Sequence, residues 1–177
     1  KSTLAKIIAG VINFNSGDRT LGYNTIVSYY AQDVADNLNP SLDIIETVDG
    51  IAENKTVGQL RSLLGSFLFS GDDVFKKVGV LSGGEKSRVA LCKILLTKAN
   101  FIILDEPTNG LDTPSHYSVL NLISELHDES HLAVLIVSHL LTDVANLVKK
   151  IILFESGSFQ FGPTEEILSE ANLAKTY

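Results

Sequence analysis

Short apolar runs alternate along the chain with longer amphipathic stretches. Strand-length runs that alternate with stretches of helical period are typical of an α/β domain with a largely parallel sheet. Every position of residues 132–137 is apolar, so we expect both faces of that strand to be buried. The predicted strands are 26–30, 101–104 and 132–137, and the predicted helices are 2–9, 84–97, 114–127 and 140–148.

A mostly helical insert is predicted between the first two strands. Pro40, Gly50 and Gly71 divide residues 36–80 into short segments, because proline and glycine interrupt helices. The helix over 84–97 is apolar on nearly all sides, so we expect it to be buried. Together these segments predict a helical subdomain over about residues 36–97.

The end of the chain is predicted to form a hairpin and a short helix. Residues 150–154 and 158–161 have strand-like patterns and flank Gly157, where glycine permits a tight turn. Thr164 is a suitable side chain to cap the helix that follows.

The composition indicates one globular domain over residues 1–177. Hydrophobic residues make up 45% of the chain, which is enough for a packed core. Cys92 is the only cysteine, so no disulfide forms within the chain, and a reducing compartment suits it. No apolar run approaches the roughly 18–20 residues that span a bilayer. The chain begins at Lys1 rather than at a methionine, so we expect the native start to lie upstream.

The net charge of −7 is unevenly distributed. Residues 1–100 contain 11 basic and 10 acidic side chains, whereas residues 101–177 contain 3 and 11. Neither part is a basic surface of the kind that binds nucleic acid by itself. An interaction with RNA would need a local patch or another part of a longer protein.

Lys1, Ser2 and Thr3 open the first predicted helix. They match the end of the phosphate-binding loop G-x-x-x-x-G-K-[ST]. In such a loop the lysine neutralises the β- and γ-phosphates, the Ser2 hydroxyl binds Mg²⁺, and the helix N-terminus attracts anions. The alternative is an ordinary serine or threonine helix cap.

Two carboxylates follow the apolar strand that begins at Phe101. Asp105 and Glu106 stand at its carboxyl end, where open α/β sheets bind ligands. Asp105 is a candidate to hold Mg²⁺, and Glu106 is a candidate to orient or deprotonate an attacking water. The alternative is a turn that merely ends the strand.

The stretch Leu81 to Glu85 reads Leu-Ser-Gly-Gly-Glu and precedes the helix over 84–97. Ser82 and Glu85 have the spacing of a capping box. Gly83 and Gly84 would let backbone N–H groups close on a phosphate at a helix N-terminus. A capping box can also be an anion site, so the two interpretations are compatible.

Gln32 and His139 each follow a predicted strand. A glutamine there is usually a loop residue, and a histidine there is usually structural. Gln32 and His139 gain a functional interpretation only from their places in the order of motifs along the chain. In that order Asp112 follows Glu106 and precedes His139.

That order of motifs resembles the ATP-binding cassette (ABC) ATPases. Their Walker A motif, Q-loop, signature, Walker B motif, D-loop and H-switch match, in turn, Lys1-Ser2-Thr3, Gln32, Leu81 to Glu85, Phe101 to Glu106, Asp112 and His139. The resemblance implies a phosphate-loop NTPase fold of the ABC type, with a helical subdomain and with the chain starting inside the Walker A motif. ATP and Mg²⁺ are the implied cofactors.

The resemblance also implies a composite active site between two cassettes, in a homodimer or a tandem. One cassette supplies the catalytic residues Glu106, His139 and Gln32, together with Lys1, Ser2, Thr3 and Asp105. Ser2, Gln32 and Asp105 serve the metal, and Asp112 couples the two sites. The partner cassette supplies the equivalents of Ser82, Gly83, Gly84 and Glu85.

Two classes of partner remain open. Residues 28–33, 67–96 and 111–115 resemble the ABC-F proteins, soluble ATPases that work on ribosomes. Residues from about 117, above all 157–173, resemble ATPases of metal and iron-chelate importers, which bind transmembrane permease subunits. Gly110 and Leu140 depart from the ABC-F pattern, which favours His and Asp there. We expect a translation-associated, cytoplasmic ATPase, with an importer subunit as the alternative. A module that binds ATP without turnover is a third interpretation.

Overall fold

The computed structural model describes residues 1–31, 33–52, 55–140, 145–155 and 158–169. The chain divides into two compact units. The larger unit is Ser2–Val137, and the smaller unit comprises Lys1 and the residues from Ser138 onward. The predicted domain limits, 1–177 for the whole and 36–97 for the helical subdomain, stay predictions.

A three-stranded parallel sheet forms the centre of the larger unit. Its strands are β1 (Val27–Tyr30), β2 (Phe101–Asp105) and β3 (Ala133–Val137), in the order β1-β2-β3. All three strands were predicted, and their parallel pairing confirms the predicted α/β class. Tyr29 is paired with Ile103, and Asp105 is paired with Val137.

Helices cover both faces of this sheet. Helix α1 (Ser2–Ala9) contacts β1 and β2, and it ends as predicted at Gly10, whose φ of 79° suits glycine. The opposite face carries Tyr30, Ile102 and Leu104 into the main hydrophobic core. Alternation along a strand places Tyr29, Ile103 and Asp105 on the α1 side.

The predicted insert is helical. It contains α2 (Ile44–Asp49), α3 (Val57–Ser66) and short 3₁₀ turns, and it leads into α4 (Gly83–Leu95). Each of the three α-helices begins with a capping box, which satisfies two free backbone N–H groups at the helix start. The prediction that the helix over 84–97 is buried holds only for Val89–Cys92 and Leu96, because the other positions are partly exposed.

Burial of β3 was predicted incorrectly. Ala133 is exposed and Val134–Val137 are only half-buried. Within the described part of the larger unit β3 pairs with β2 alone, at the edge of the sheet. Helix α5 (Thr113–Ser130) runs longer than predicted and ends at His131, which has a left-handed φ of 52°.

The smaller unit contains the predicted hairpin. Strands β4 (Lys150–Glu155) and β5 (Ser158–Pro163) are antiparallel and lead into helix α6 (Thr164–Ile167). Thr164 does not cap this helix: Pro163 occupies the cap position, and the Thr164 hydroxyl donates to the Val148 carbonyl oxygen. Residues 141–144 of the helix predicted over 140–148, and Gly157, lie outside the described residues.

No helix among the described residues is both long enough and apolar enough to cross a bilayer.

Cys92 is buried in α4, and burial raises the pKa of its thiol to about 12. The thiol therefore stays protonated and unreactive at neutral pH.

Candidate functional site

Two hydroxyl groups converge on the carboxylate of Asp105. The Ser2 hydroxyl donates to Asp105 Oδ1 at 2.9 Å, and the Tyr29 hydroxyl donates to Asp105 Oδ2 at 3.0 Å. Ser2 is the first residue of α1, Tyr29 lies on β1, and Asp105 ends β2. Asp105 is only 3% exposed, so these charge-assisted hydrogen bonds offset the loss of water around its charge.

Tyr29 remains a proton donor at neutral pH. Burial, followed by the hydrogen bond to Asp105 and the negative charges of Asp105 and Asp33, raises the pKa of Tyr29 above its ordinary value. The N-terminus of α1, with its partial positive charge, lies beside the same carboxylate through Ser2. Asp105 is thus held from two sides by neutral donors.

The chain turns sharply after Asp105. The Glu106 backbone N–H donates to the Val137 carbonyl oxygen at 2.9 Å, which extends the strand pairing by one residue. Glu106 has a φ of 53°, which is a strained conformation for a residue other than glycine. Its side chain is half-buried beside the end of the sheet. Strain of this kind is common where a catalytic side chain must be aimed in one direction.

An open cleft adjoins Asp105. Its lining is mixed in charge and consists of Ser2, Lys6, Ala31, Asp33, Asp36 and Asp105. No group of three or more His, Cys, Asp or Glu residues in the described part of the chain could hold a metal ion. Mg²⁺ usually binds one or two carboxylates, with water and phosphate oxygens completing the octahedron. One carboxylate and one serine hydroxyl therefore fit Mg²⁺ bound together with a nucleotide.

The start of α4 has the geometry of the predicted capping box. The Ser82 backbone N–H donates to Glu85 Oε2 at 2.8 Å, and the Glu85 N–H donates to Ser82 Oγ at 3.3 Å, which completes the predicted capping box. Ser82 and Gly83 are exposed. A Cβ at Gly83 would meet no described atom within 4 Å, whereas one at Gly84 would lie 3.4 Å from the Gly110 carbonyl oxygen.

Arg88 connects α4 with the residues that follow Asp105. Its Nη1 donates to the Ser115 hydroxyl at 2.7 Å and lies 3.8 Å from Asp112 Oδ1. Its guanidinium also lies over the Phe69 ring, 5.2 Å from the centroid. The interaction with Ser115, more than the charge of Arg88, lowers the pKa of Asp112. Asp112 therefore stays charged at the exposed edge of this cluster.

Thr3, Lys1 and His139 are the other predicted residues that the structure describes. Thr3 is exposed on α1. Lys1 and His139 belong to the smaller unit and are both exposed, and Lys1 Nζ donates to the Ser138 carbonyl oxygen at 3.4 Å. Gln32 lies outside the described residues.

Two residues of the site were not predicted. The position of Tyr29 on the strand that leads to the predicted Gln32 could have marked it as a candidate. Its contact with Asp105 depends on strand register, which the sequence does not show. Arg88 lies six positions after Ser82, and its role depends on Ser115 and Asp112 approaching it in space.

A sequence profile of the family described as ABC transporter matches residues 1–109. The chain belongs to this family. The prediction of an ATPase domain of the ATP-binding cassette type is thereby confirmed at the level of the family.

Two relatives match about nine-tenths of the chain, and the name of one carries the F-family description. The chain is 36% identical over 161 residues to ABC transporter F family member 5 of Arabidopsis thaliana, covering 90% of this chain and 23% of that protein. It is 36% identical over 161 residues to the ATP-binding protein Uup of Escherichia coli (strain K12), covering 89% and 25%. The chain thus spans about a quarter of the length of these relatives. The predicted likeness to ABC-F proteins is confirmed. Because the match covers about nine-tenths of the chain, it continues beyond residue 117, where the sequence also resembles importer ATPases.

Two solved structures share the fold of the cassette. A dimeric ATP-binding cassette in a post-hydrolysis state, bound to ADP and phosphate, has a TM-score of 0.74 and 21% identity, covering 92% of this chain and 80% of that one. An inward-facing structure described as a metal-chelate type ABC transporter has a TM-score of 0.70 and 20% identity, covering 99% and 72%. These likenesses confirm the predicted fold.

Proposed function

We propose that the chain binds ATP with Mg²⁺ beside Ser2 and Asp105, hydrolyses it in a pair of cassettes, and serves a soluble, translation-associated protein of the ABC-F type. The observation that carries the proposal is the 2.9 Å hydrogen bond between Ser2 and Asp105. It brings the predicted phosphate-binding helix to the predicted metal carboxylate, although 103 positions separate the two residues.

The chemistry assigned to the site is attack of water on the γ-phosphorus of ATP. Ser2 and Asp105 would hold Mg²⁺, which neutralises charge on the phosphates when bound. Glu106 orients the water and accepts its proton as the bond from phosphorus to the bridging oxygen of ADP breaks. The strained backbone of Glu106, directly after β2, supports this role, because such strain clusters at active sites.

A second cassette completes the site. We assign Ser82, Gly83, Gly84 and Glu85 to the nucleotide of the partner cassette. The support for this assignment is that Ser82 and Gly83 are exposed at the N-terminus of α4, where helix N–H groups favour phosphate. Bound ATP then joins the two cassettes, and hydrolysis releases them.

The other assignments rest on motif position. Lys1 and Thr3 serve the phosphates, Gln32 serves the metal and the water, and His139 serves the γ-phosphate. Asp112 couples the paired sites, and its cluster with Arg88 and Ser115 supports a fixed position for it.

The ABC-F assignment draws on the relatives, which are 36% identical over about nine-tenths of the chain. The importer alternative draws on the final third of the sequence and on a likeness of fold to a metal-chelate type transporter, which both kinds of cassette share. We therefore favour a cytoplasmic, ribosome-associated protein over an importer subunit.

The test uses the full-length protein with Glu106→Gln, sedimented with purified ribosomes and, separately, with membrane vesicles, with and without ATP. We expect ATP-dependent recovery with ribosomes, because the variant keeps ATP bound without turnover. Adding Ser82→Arg should abolish that recovery. ATP-dependent recovery with membranes instead would refute the ABC-F assignment and favour the importer.

A further inference from the structure

We propose that Tyr29 is a positioning residue for the metal, whose hydroxyl holds the Asp105 carboxylate in the orientation that Mg²⁺ binding needs. The inference rests on the proposed function and adds a residue to it. Its starting observation is the 3.0 Å hydrogen bond from the Tyr29 hydroxyl to Asp105 Oδ2.

Strand register explains how Tyr29 reaches Asp105. Tyr29 is paired with Ile103, and Asp105 lies two residues further along β2 on the same face. Diagonal neighbours of this kind are within reach of a long aromatic side chain. A shift of one residue in register would turn Tyr29 to the opposite face, so the contact depends on this pairing.

The neighbouring tyrosine provides a comparison. Tyr30 faces the other side of β1, is 3% exposed and belongs to the main hydrophobic core. Tyr29 is only half-buried, and its hydroxyl is directed to the carboxylate at the strand end. The two tyrosines are adjacent on β1 and each carries a hydroxyl. Of the two, Tyr29 is the one whose described hydrogen bond reaches Asp105.

Two donors orient a carboxylate better than one. Rotation of an aspartate carboxylate about its last bond is only weakly restricted, so Ser2 on Oδ1 alone would leave Oδ2 free to turn. Tyr29 occupies Oδ2 and thereby fixes the plane of the group. Partners that orient a metal-binding group typically change metal affinity by roughly 10–100-fold when removed.

The test compares Tyr29→Phe with Tyr30→Phe in the full-length protein. Binding of a fluorescent ATP analogue is titrated with Mg²⁺, and again in EDTA. Tyr29→Phe should raise the Mg²⁺ concentration for half-maximal enhancement by about tenfold, and leave the affinity in EDTA within about twofold. Tyr30→Phe should change neither quantity.

A double-mutant cycle separates positioning from a general structural effect. Asp105→Asn should remove most of the Mg²⁺ dependence, and adding Tyr29→Phe to it should cause little further loss, because the two act as one unit. Additive losses, equal losses in Tyr29→Phe and Tyr30→Phe, or an unchanged Mg²⁺ dependence in Tyr29→Phe would each overturn the inference. If the unmodified protein binds no nucleotide, the proposed function fails first, and the inference fails with it.

Discussion

Ser2 donates a hydrogen bond of 2.9 Å to Asp105, which joins the start of α1 to the end of β2. Neither residue could be placed beside the other from local sequence, because the contact requires α1 to lie along β1 and β2. The bond fixes the hydroxyl and the carboxylate that we assign to Mg²⁺ at one edge of the sheet.

This contact predicts a requirement for the Ser2 hydroxyl. Ser2→Ala should raise the Mg²⁺ concentration that gives half-maximal ATP hydrolysis by about tenfold or more. Ser2→Thr keeps a hydroxyl at the first helical position and should remain close to the unmodified protein. Hydrolysis is measured as released phosphate across a Mg²⁺ titration. Indistinguishable Mg²⁺ curves for the alanine and threonine variants would contradict the role of Ser2.

Arg88 should contribute to the stability of the larger unit. Arg88→Ala removes the hydrogen bond to buried Ser115 and the contact with the Phe69 ring, so we expect unfolding in urea to become easier by about 1–3 kcal/mol. Arg88→Lys should recover only part of the loss, since lysine lacks the planar fork of donors. Lys86→Ala, on the same helix, is the matched control and should change stability by less than about 0.5 kcal/mol.

A substitution at Gly83 should distinguish the folding of the chain from the ATP-driven pairing of two cassettes. The space around its Cβ position is open among the described residues, and alanine favours helix more than glycine does. Gly83→Ala should therefore keep or slightly raise the thermal stability of the chain. Its methyl group would stand where we place the partner's phosphate, so ATP-driven pairing should weaken. Normal pairing, measured by analytical ultracentrifugation with ATP, would argue against this surface as the partner's site.

The capping box of α4 should make stability sensitive to acid. The hydrogen bonds from Ser82 lower the pKa of Glu85 below its ordinary value. A carboxylate with a lowered folded-state pKa adds stability above its unfolded pKa, about 4.3, and this contribution is lost as the pH falls through the folded value. Glu85→Gln keeps an acceptor for the Ser82 N–H but cannot titrate. Chemical unfolding between about pH 3 and 7 should show a shallower loss of stability for this variant than for the unmodified chain.

The strands and the placement of carboxylates at the end of β2 were predictable because the signals are local. An apolar run followed by Asp105 and Glu106 predicted β2 and its carboxylates, and the Ser82–Glu85 spacing predicted the cap of α4. The exposure of β3 was not predictable, since a uniformly apolar strand looks the same at a sheet edge as in the centre.

Contacts between segments that are distant in sequence explain the other differences between the predictions and the structure. Thr164 has the side chain of a helix cap, yet its hydroxyl binds the Val148 carbonyl oxygen instead. Tyr29 and Arg88 act through partners that only strand register and helix packing bring to them. Sequence identifies residue types suited to a chemistry, whereas these pairings follow from the tertiary structure.

The central claim is that Glu106 drives hydrolysis of an ATP held between two cassettes. Its most direct measurement is radiolabelled ATP retained by the full-length Glu106→Gln protein through rapid gel filtration, with the retained nucleotide identified as ATP or ADP. The account predicts retained, unhydrolysed ATP and turnover reduced by at least about 100-fold. It also predicts loss of retention when Ser82→Arg is added. Undiminished hydrolysis by Glu106→Gln, or equal retention with Ser82→Arg, would contradict the account.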